Sequence, residues 1–237
     1  MKRVHTKTMK TILQNKFLLL LISLVVTLCV APFVHQLGLV GPGIQFTCLT
    51  LVFVTAAMAN PERKAMLYTS IACAVVAIPI MWSSLFIPTY EMSLSRVLIT
   101  AFFCFITAVM ILVSVFKDYR SDARAVFGAV CSYLLIGLAW AMLYAGIEMI
   151  DSEAFRYVSD AILTEDGVSS FPQLIYLSFV TMSTLGYGDI APRTAMAQTA
   201  AWMQAVVGQF YFAVLISYLV ATLPKAGYQE DDSGSQR

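Results

Sequence analysis

The chain has 237 residues, of which 59% are apolar and only 12% charged, with a formal net charge of +1 and a mean hydropathy of +0.77. Soluble globular domains carry about a quarter of their residues as charges, so this composition excludes one and indicates an all-α integral membrane protein. A net charge near zero says nothing about partners, because in a membrane protein the distribution of charge carries more information than its sum; no nucleic-acid partner is expected.

Runs of roughly 20 apolar residues, the length that crosses a ~30 Å hydrocarbon core, predict six spanning helices. In chain order they cover 17–34, 43–59, 65–87, 97–116, 125–149 and 197–223. Gly41-Pro42-Gly43, Asn60-Pro61, Pro88 and the charged segment 117–124 read as the breaks between them. The division that follows is a basic N-terminus (1–16), a four-helix region (17–116), a linker (117–124), a second membrane region (125–223) and a short acidic tail (224–237). The basic start resembles that of a signal peptide. Its apolar core is longer than the usual ~7–15 residues and no small-x-small site follows cleanly, so a retained helix is expected. About fourteen residues after the sixth run are too few for a ligand-binding domain.

Orientation follows from Lys and Arg. With the N-terminus cytoplasmic, Lys2, Arg3, Lys7, Lys10, Lys16, Arg63, Lys64, Lys117, Arg120, Arg124, Lys225 and Arg237 fall inside, leaving Arg96, Arg156 and Arg193 outside. Both termini are then expected inside a plasma or inner membrane. Glu91, Glu148, Asp151, Glu153, Asp160, Glu165, Asp166 and Asp189 fall on the outer side, where they would draw cations. The five cysteines, Cys29, Cys48, Cys73, Cys104 and Cys131, all lie within apolar runs and read as small buried hydrophobes. Thr47, Thr50, Thr55 and Thr69 are expected to bond back to their own helices. Trp82, Tyr90, Trp140 and Tyr144 are read as interface or packing residues.

Between the fifth and sixth runs lies "SSFPQLIYLSFVTMSTLGYGDIAPRT". Ser170, three residues before Gln173, forms a capping-box pattern for a helix with Pro172 in its first turn. From 172 to 182 that helix rises only about 16 Å, half of what the bilayer requires, so the chain must enter and return on one side. Its returning arm, Thr184-Leu185-Gly186-Tyr187-Gly188-Asp189, is non-helical, and such backbone is tolerated at membrane depth only inside protein or beside a watery path. Gly186 and Gly188, alternating with Leu185 and Tyr187, would let successive carbonyls point to one side.

The hexapeptide resembles the signature of potassium channels, with Leu185 where valine is most common, and the layout around it over about 125–223 is similar too. The resemblance implies a tetramer, since one loop cannot close a ring, and a passive potassium pore without a cofactor. Potassium would be held by the backbone carbonyls of Thr184, Leu185, Gly186 and Tyr187 with the Thr184 hydroxyl, and Gly188 would complete the selectivity filter. Asp189 would anchor its outer end. Gly208 falls where such channels carry a hinge glycine, with Gln209, Phe212 and Ile216 on a face that could line a cavity. A glutamate that some members carry behind the filter is replaced by Val180. Tyr176 stands where an aromatic donor is common and is expected to brace Asp189.

The fourth run, 97–116, lacks the arginine series of a voltage sensor, so conventional voltage sensing is not expected. A poorly selective cation channel is an alternative that Tyr187 argues against, and a non-conducting accessory subunit is another. An enzyme is the remote reading, because His5 and His35 are far from any nucleophile or metal-binding constellation.

Overall fold

The computed structural model describes residues 16–34, 41–59, 64–86, 89–118, 123–158 and 171–222. His5, His35, Asp160, Glu165, Asp166, Ser170 and the tail lie outside them. In chain order the elements are α1 (Lys16–Val34), α2 (Gly41–Ala59), α3 (Lys64–Phe86), α4 (Tyr90–Asp118), α5 (Ala123–Ile150), β1 (Phe155–Tyr157), α6 (Phe171–Met182), β2 (Ile190–Pro192) and α7 (Ala195–Thr222).

By length and composition α1, α2, α4 and α5 can each cross a membrane. At 1.5 Å per residue, the 23 residues of α3 extend about 34 Å and the 28 of α7 about 42 Å. The 12 residues of α6 reach only about 18 Å, so this helix cannot cross.

Several boundaries differ from the apolar runs, and the reason is shared. Hydropathy marks where a helix is oily, whereas main-chain hydrogen bonding marks where it is a helix. Thus α4 begins at Tyr90, upstream of Arg96, with its first turn closed by Ser93 N–H donating to the Thr89 carbonyl at 3.0 Å. Helix α5 begins at Ala123, inside the charged segment read as a linker. Gly41-Pro42-Gly43 is the first turn of α2 and not a break. Proline fits there because a first-turn N–H has no intrahelical acceptor to lose.

Helix α4 packs along α5, α1 lies against α2 and α5, α2 and α4 flank α3, and α6 is seated between α5 and α7. Leu20, Leu24, Phe53, Phe103, Ile111, Leu135 and Leu138 form the main core, with the Phe53 and Phe103 ring centroids 4.1 Å apart. A smaller cluster of Tyr144, Ile147, Phe155, Leu174, Leu177 and Ile190 ties α5 and α6 to the two-stranded ribbon.

Thr47, Thr50 and Thr55 donate to the carbonyls of Gly43, Phe46 and Leu51 one turn back. Cys104 and Cys131 are buried as expected, but Cys29 faces outward from the bundle and is exposed. An apolar run does not by itself say which side of its helix meets the core, and in a membrane protein lipid-facing positions are as apolar as buried ones.

Candidate functional site

The site is built where a half-length helix stops. At the end of α6, Ser183 N–H still reaches the Phe179 carbonyl at 2.9 Å, and Thr184 N–H turns inward to the Thr181 carbonyl at 3.0 Å. The Val180 carbonyl then accepts from Leu185 N–H at 2.9 Å and, more weakly, from Gly186 N–H at 3.4 Å. These bonds cap the helix with the first residues of the returning arm. The negative end of the α6 dipole is thereby aimed at that arm.

Along the arm the backbone takes left-handed φ values at every second residue: 59° at Thr184, 53° at Gly186 and 81° at Gly188. In a regular strand successive carbonyls point to opposite sides. Changing the hand of φ at alternate residues rotates the intervening peptide planes and turns consecutive carbonyls to one side. Glycine adopts this conformation freely, and an added Cβ at Gly186 or Gly188 would meet no atom within 4 Å, so conformation and not space selects it there. Thr184 has no such freedom. For a β-branched residue a positive φ is a strained outlier of roughly 1–3 kcal/mol. Its hydroxyl donates to the Ser183 carbonyl at 2.7 Å and accepts from Gln209 Nε2 at 3.3 Å.

The far end of the arm is held twice. Tyr176 Oη donates to Asp189 Oδ2 at 2.6 Å, while Asp189 Oδ1 accepts from Ile190 N–H at 3.1 Å. The hydrogen bond to Asp189, reinforced by its charge, pushes the Tyr176 phenol up to about 12. The Tyr176 and Tyr187 rings are parallel within 2°, with centroids 6.5 Å apart. On the main chain, Val158 N–H donates to the Asp189 carbonyl at 3.0 Å. That bond continues an antiparallel ribbon in which Phe155, Arg156 and Tyr157 pair with Pro192, Ala191 and Ile190. Arg193 N–H closes its other end on the Ala154 carbonyl at 2.8 Å. Nearby carboxylates are engaged as well, Glu148 by Tyr157 Oη at 2.7 Å and Glu153 by Arg193 at 3.1 Å.

Behind the arm, α7 approaches α6 closely. A Cβ on Gly208 would collide with the Met182 carbonyl, so glycine is required here for contact between α7 and the end of α6. Gln209, next in the chain, reaches the Thr184 hydroxyl. Phe212 leans on Tyr133 of α5, with centroids 5.1 Å apart. The side chain of Ile216 lies outside the described residues. Leu185 and Tyr187 are exposed on the surface of the chain. Thr184, Gly186, Tyr187, Gly188, Asp189 and Tyr176 are thus brought together, with Gly208 and Gln209 immediately beneath.

Three features escape the sequence reading. The ribbon has three residues per strand and no alternating pattern to announce it. The strained φ of Thr184 carries no glycine as a marker. A buried polar cluster of Tyr144, Ser178 and Gln204 lies behind α6, all three with essentially no solvent exposure. A glutamine in an apolar helix one turn before Gly208 was the available signal for it.

Comparison with known proteins agrees with this geometry. Residues 128–225 match the family model described as an ion channel. Over 101 residues, 43% of the chain, the sequence is 28% identical to potassium voltage-gated channel subfamily A member 5 of Mustela putorius furo. The aligned part is 16% of that relative, so the chain matches only a small part of its length. No solved structure gives a significant match.

Proposed function

We propose, on the premise that residues 128–225 belong to the potassium-channel pore family, that the chain forms a potassium-selective channel in which four copies each lend one filter strand. The observation that carries this reading is the alternation of left-handed φ at Thr184, Gly186 and Gly188 at the open end of a helix too short to cross. One strand presents carbonyls from one side only. Four around an axis stack them into rings that replace the hydration shell of the ion. Thr184, Leu185, Gly186 and Tyr187 supply the carbonyls, the Thr184 hydroxyl completes the innermost site, and Gly188 and Asp189 close the outer mouth. Potassium passes down its gradient, with no covalent chemistry and no cofactor.

Trp202, Met203, Val206, Phe210 and Val214 leave a broad apolar face on α7, which suits packing against further copies and against lipid. In this reading α3 and α7 cross beside the other four helices, giving six spans in a plasma or inner membrane with both termini cytoplasmic and the filter opening outward. Helices α1 to α4 brace the pore. Helix α4 carries Arg96 near its start and Lys117 near its end, with no cation between, so no gating charge is available to cross the field and voltage sensing is not conventional.

The test is the reversal potential of the purified protein in planar bilayers under asymmetric potassium and sodium. Reversal near the potassium equilibrium potential is expected, with current lost in Gly186→Ala, where an L side chain resists the left-handed φ. Reversal near zero would replace the reading with a poorly selective channel. Absence of current from a well-folded oligomer would favour an accessory subunit.

A further inference from the structure

We infer that Gln204 is a positioning residue for the filter: its amide fastens α7 to α6 and thereby sets how tightly the filter strand holds potassium. The inference rests on the channel reading above.

The amide is fully buried and uses both ends. Gln204 Nε2 donates to the Ser178 carbonyl at 3.0 Å and to Ser178 Oγ at 2.7 Å, and Oε1 accepts from the Tyr144 hydroxyl. A carbonyl can only accept, so the nitrogen must face Ser178 and the orientation of the amide is fixed. Ser178 Oγ in turn donates to the Gly137 carbonyl at 2.6 Å. Three hydrogen bonds therefore join the side chain of α7 to Ser178 of α6 and Tyr144 of α5, and a fourth ties Ser178 to α5 at Gly137. Both hydrogens of the amide and the hydroxyl protons of Ser178 and Tyr144 are satisfied. A network so completely paired in a low-dielectric setting fixes relative position, because any sliding of one element strands a polar group.

The place of this fastening on α6 gives it consequence. Two residues before Ser178, Tyr176 holds the outer end of the filter through Asp189. Two residues after it, the Val180 carbonyl holds the inner end through Leu185 and Gly186. Gln204 is thus tied to α6 midway between the two attachments of the strand, on the side away from the ion path. One turn further along α7, Gly208 presses against the Met182 carbonyl. Displacement of α7 relative to α5 is transmitted to α6 at Ser178 and from there to both ends of the strand. A filter without this tie would relax more readily to shapes that bind the ion poorly.

The experiment reads potassium binding and does not depend on current: thermal melting of the purified full-length oligomer, titrated with potassium at constant ionic strength with sodium. A ligand that binds the folded state raises the melting temperature in a concentration-dependent way, so the midpoint of that rise reports affinity. Gln204→Leu is expected to move the midpoint to about tenfold higher potassium, the size of one buried hydrogen-bonding group lost. Ser178→Ala, which leaves the Tyr144 to Gln204 bond in place, should shift it the same way by about threefold and serves if the first variant fails to fold. The double variant should shift the midpoint no further than Gln204→Leu alone, since both cut one unit. Lower melting temperatures with an unchanged potassium midpoint would overturn the inference and leave the cluster a purely structural one. A wild-type protein with no potassium-dependent melting would overturn the channel reading and this inference with it. Potassium-dependent melting without current would remove conduction alone.

Discussion

The two halves of the molecule bury their polar side chains in opposite ways. In α1 to α4 most hydroxyls are spent locally: Thr27, Thr47, Thr50, Thr55 and Ser83 each donate within their own helix. A few bonds cross between helices, such as Ser23 with Thr55 at 2.9 Å and Trp82 to Thr50 at 3.1 Å. The buried hydroxyls of Ser70 and Thr107 have no partner among the described residues. In α5 to α7 Ser132 also bonds within its own helix, to the Gly128 carbonyl at 3.0 Å, but the other buried polar groups reach across the fold. Tyr211 donates to the Ala129 carbonyl, Ser178 to Gly137, Gln204 to Ser178, and Tyr144 to Gln204. Local bonds let helices shift against one another at little cost, whereas bonds between elements define one arrangement. The first region is therefore built to pack, and the second to hold a shape.

The substitution that would damage this shape most is Gly208→Ala. The added Cβ overlaps a main-chain carbonyl that cannot swing away, so α7 must retreat from α6. A loss of about 3 kcal/mol, the upper range for overpacking, is expected in the thermal stability of the purified protein. If Gly208 were only a flexible hinge, the same change would be nearly silent in melting and visible only in gating. Tyr211→Phe comes next. It removes the hydroxyl that ties α7 to α5, at an expected cost of about 1 kcal/mol in the same melting assay.

Tyr176→Phe should leave global stability almost unchanged and act on the filter, with a faster decline of current at low external potassium. The bond is made by the neutral phenol, whose pKa in the fold, about 12, lies above the ordinary value of about 10. Its contribution is thus complete below about pH 10 and is lost as pH rises through about 12, so raising external pH from neutral to about 9 should not mimic the variant. The smallest effect is expected at Thr47→Val, whose hydroxyl bonds only one turn back on an exposed face; a change within about 0.5 kcal/mol would mark the first region as locally satisfied. A cost at Thr47 comparable with that at Tyr211 would erase the contrast between the halves.

The strand from Thr184 to Asp189 was legible because its backbone demands glycine at two alternate positions, which leaves a mark in the letters themselves. The half-length helix was legible from length alone, ending at Met182 in both sequence and structure. What holds the strand was harder to read. Tyr144 and Gln204 are 60 residues apart, and Gln204 and Ser178 are 26 apart. Neither spacing has a period, so only the packing of α5, α6 and α7 brings them together. The start of α4 was misjudged because Arg96 ends an apolar run without ending a helix. Gly208 stood out in the sequence, but a flexible glycine and a close-packed one are written with the same letter.

The ribbon beside Asp189 bears on how tolerance to mutation should be interpreted. Its grip on Asp189 is a bond from the Val158 main chain, which every residue except proline can make. Position 158 is free to drift through most of the amino-acid alphabet while its hold on the Asp189 carbonyl stays constant. A survey that equates variability with dispensability would pass over it, and only proline would expose the dependence.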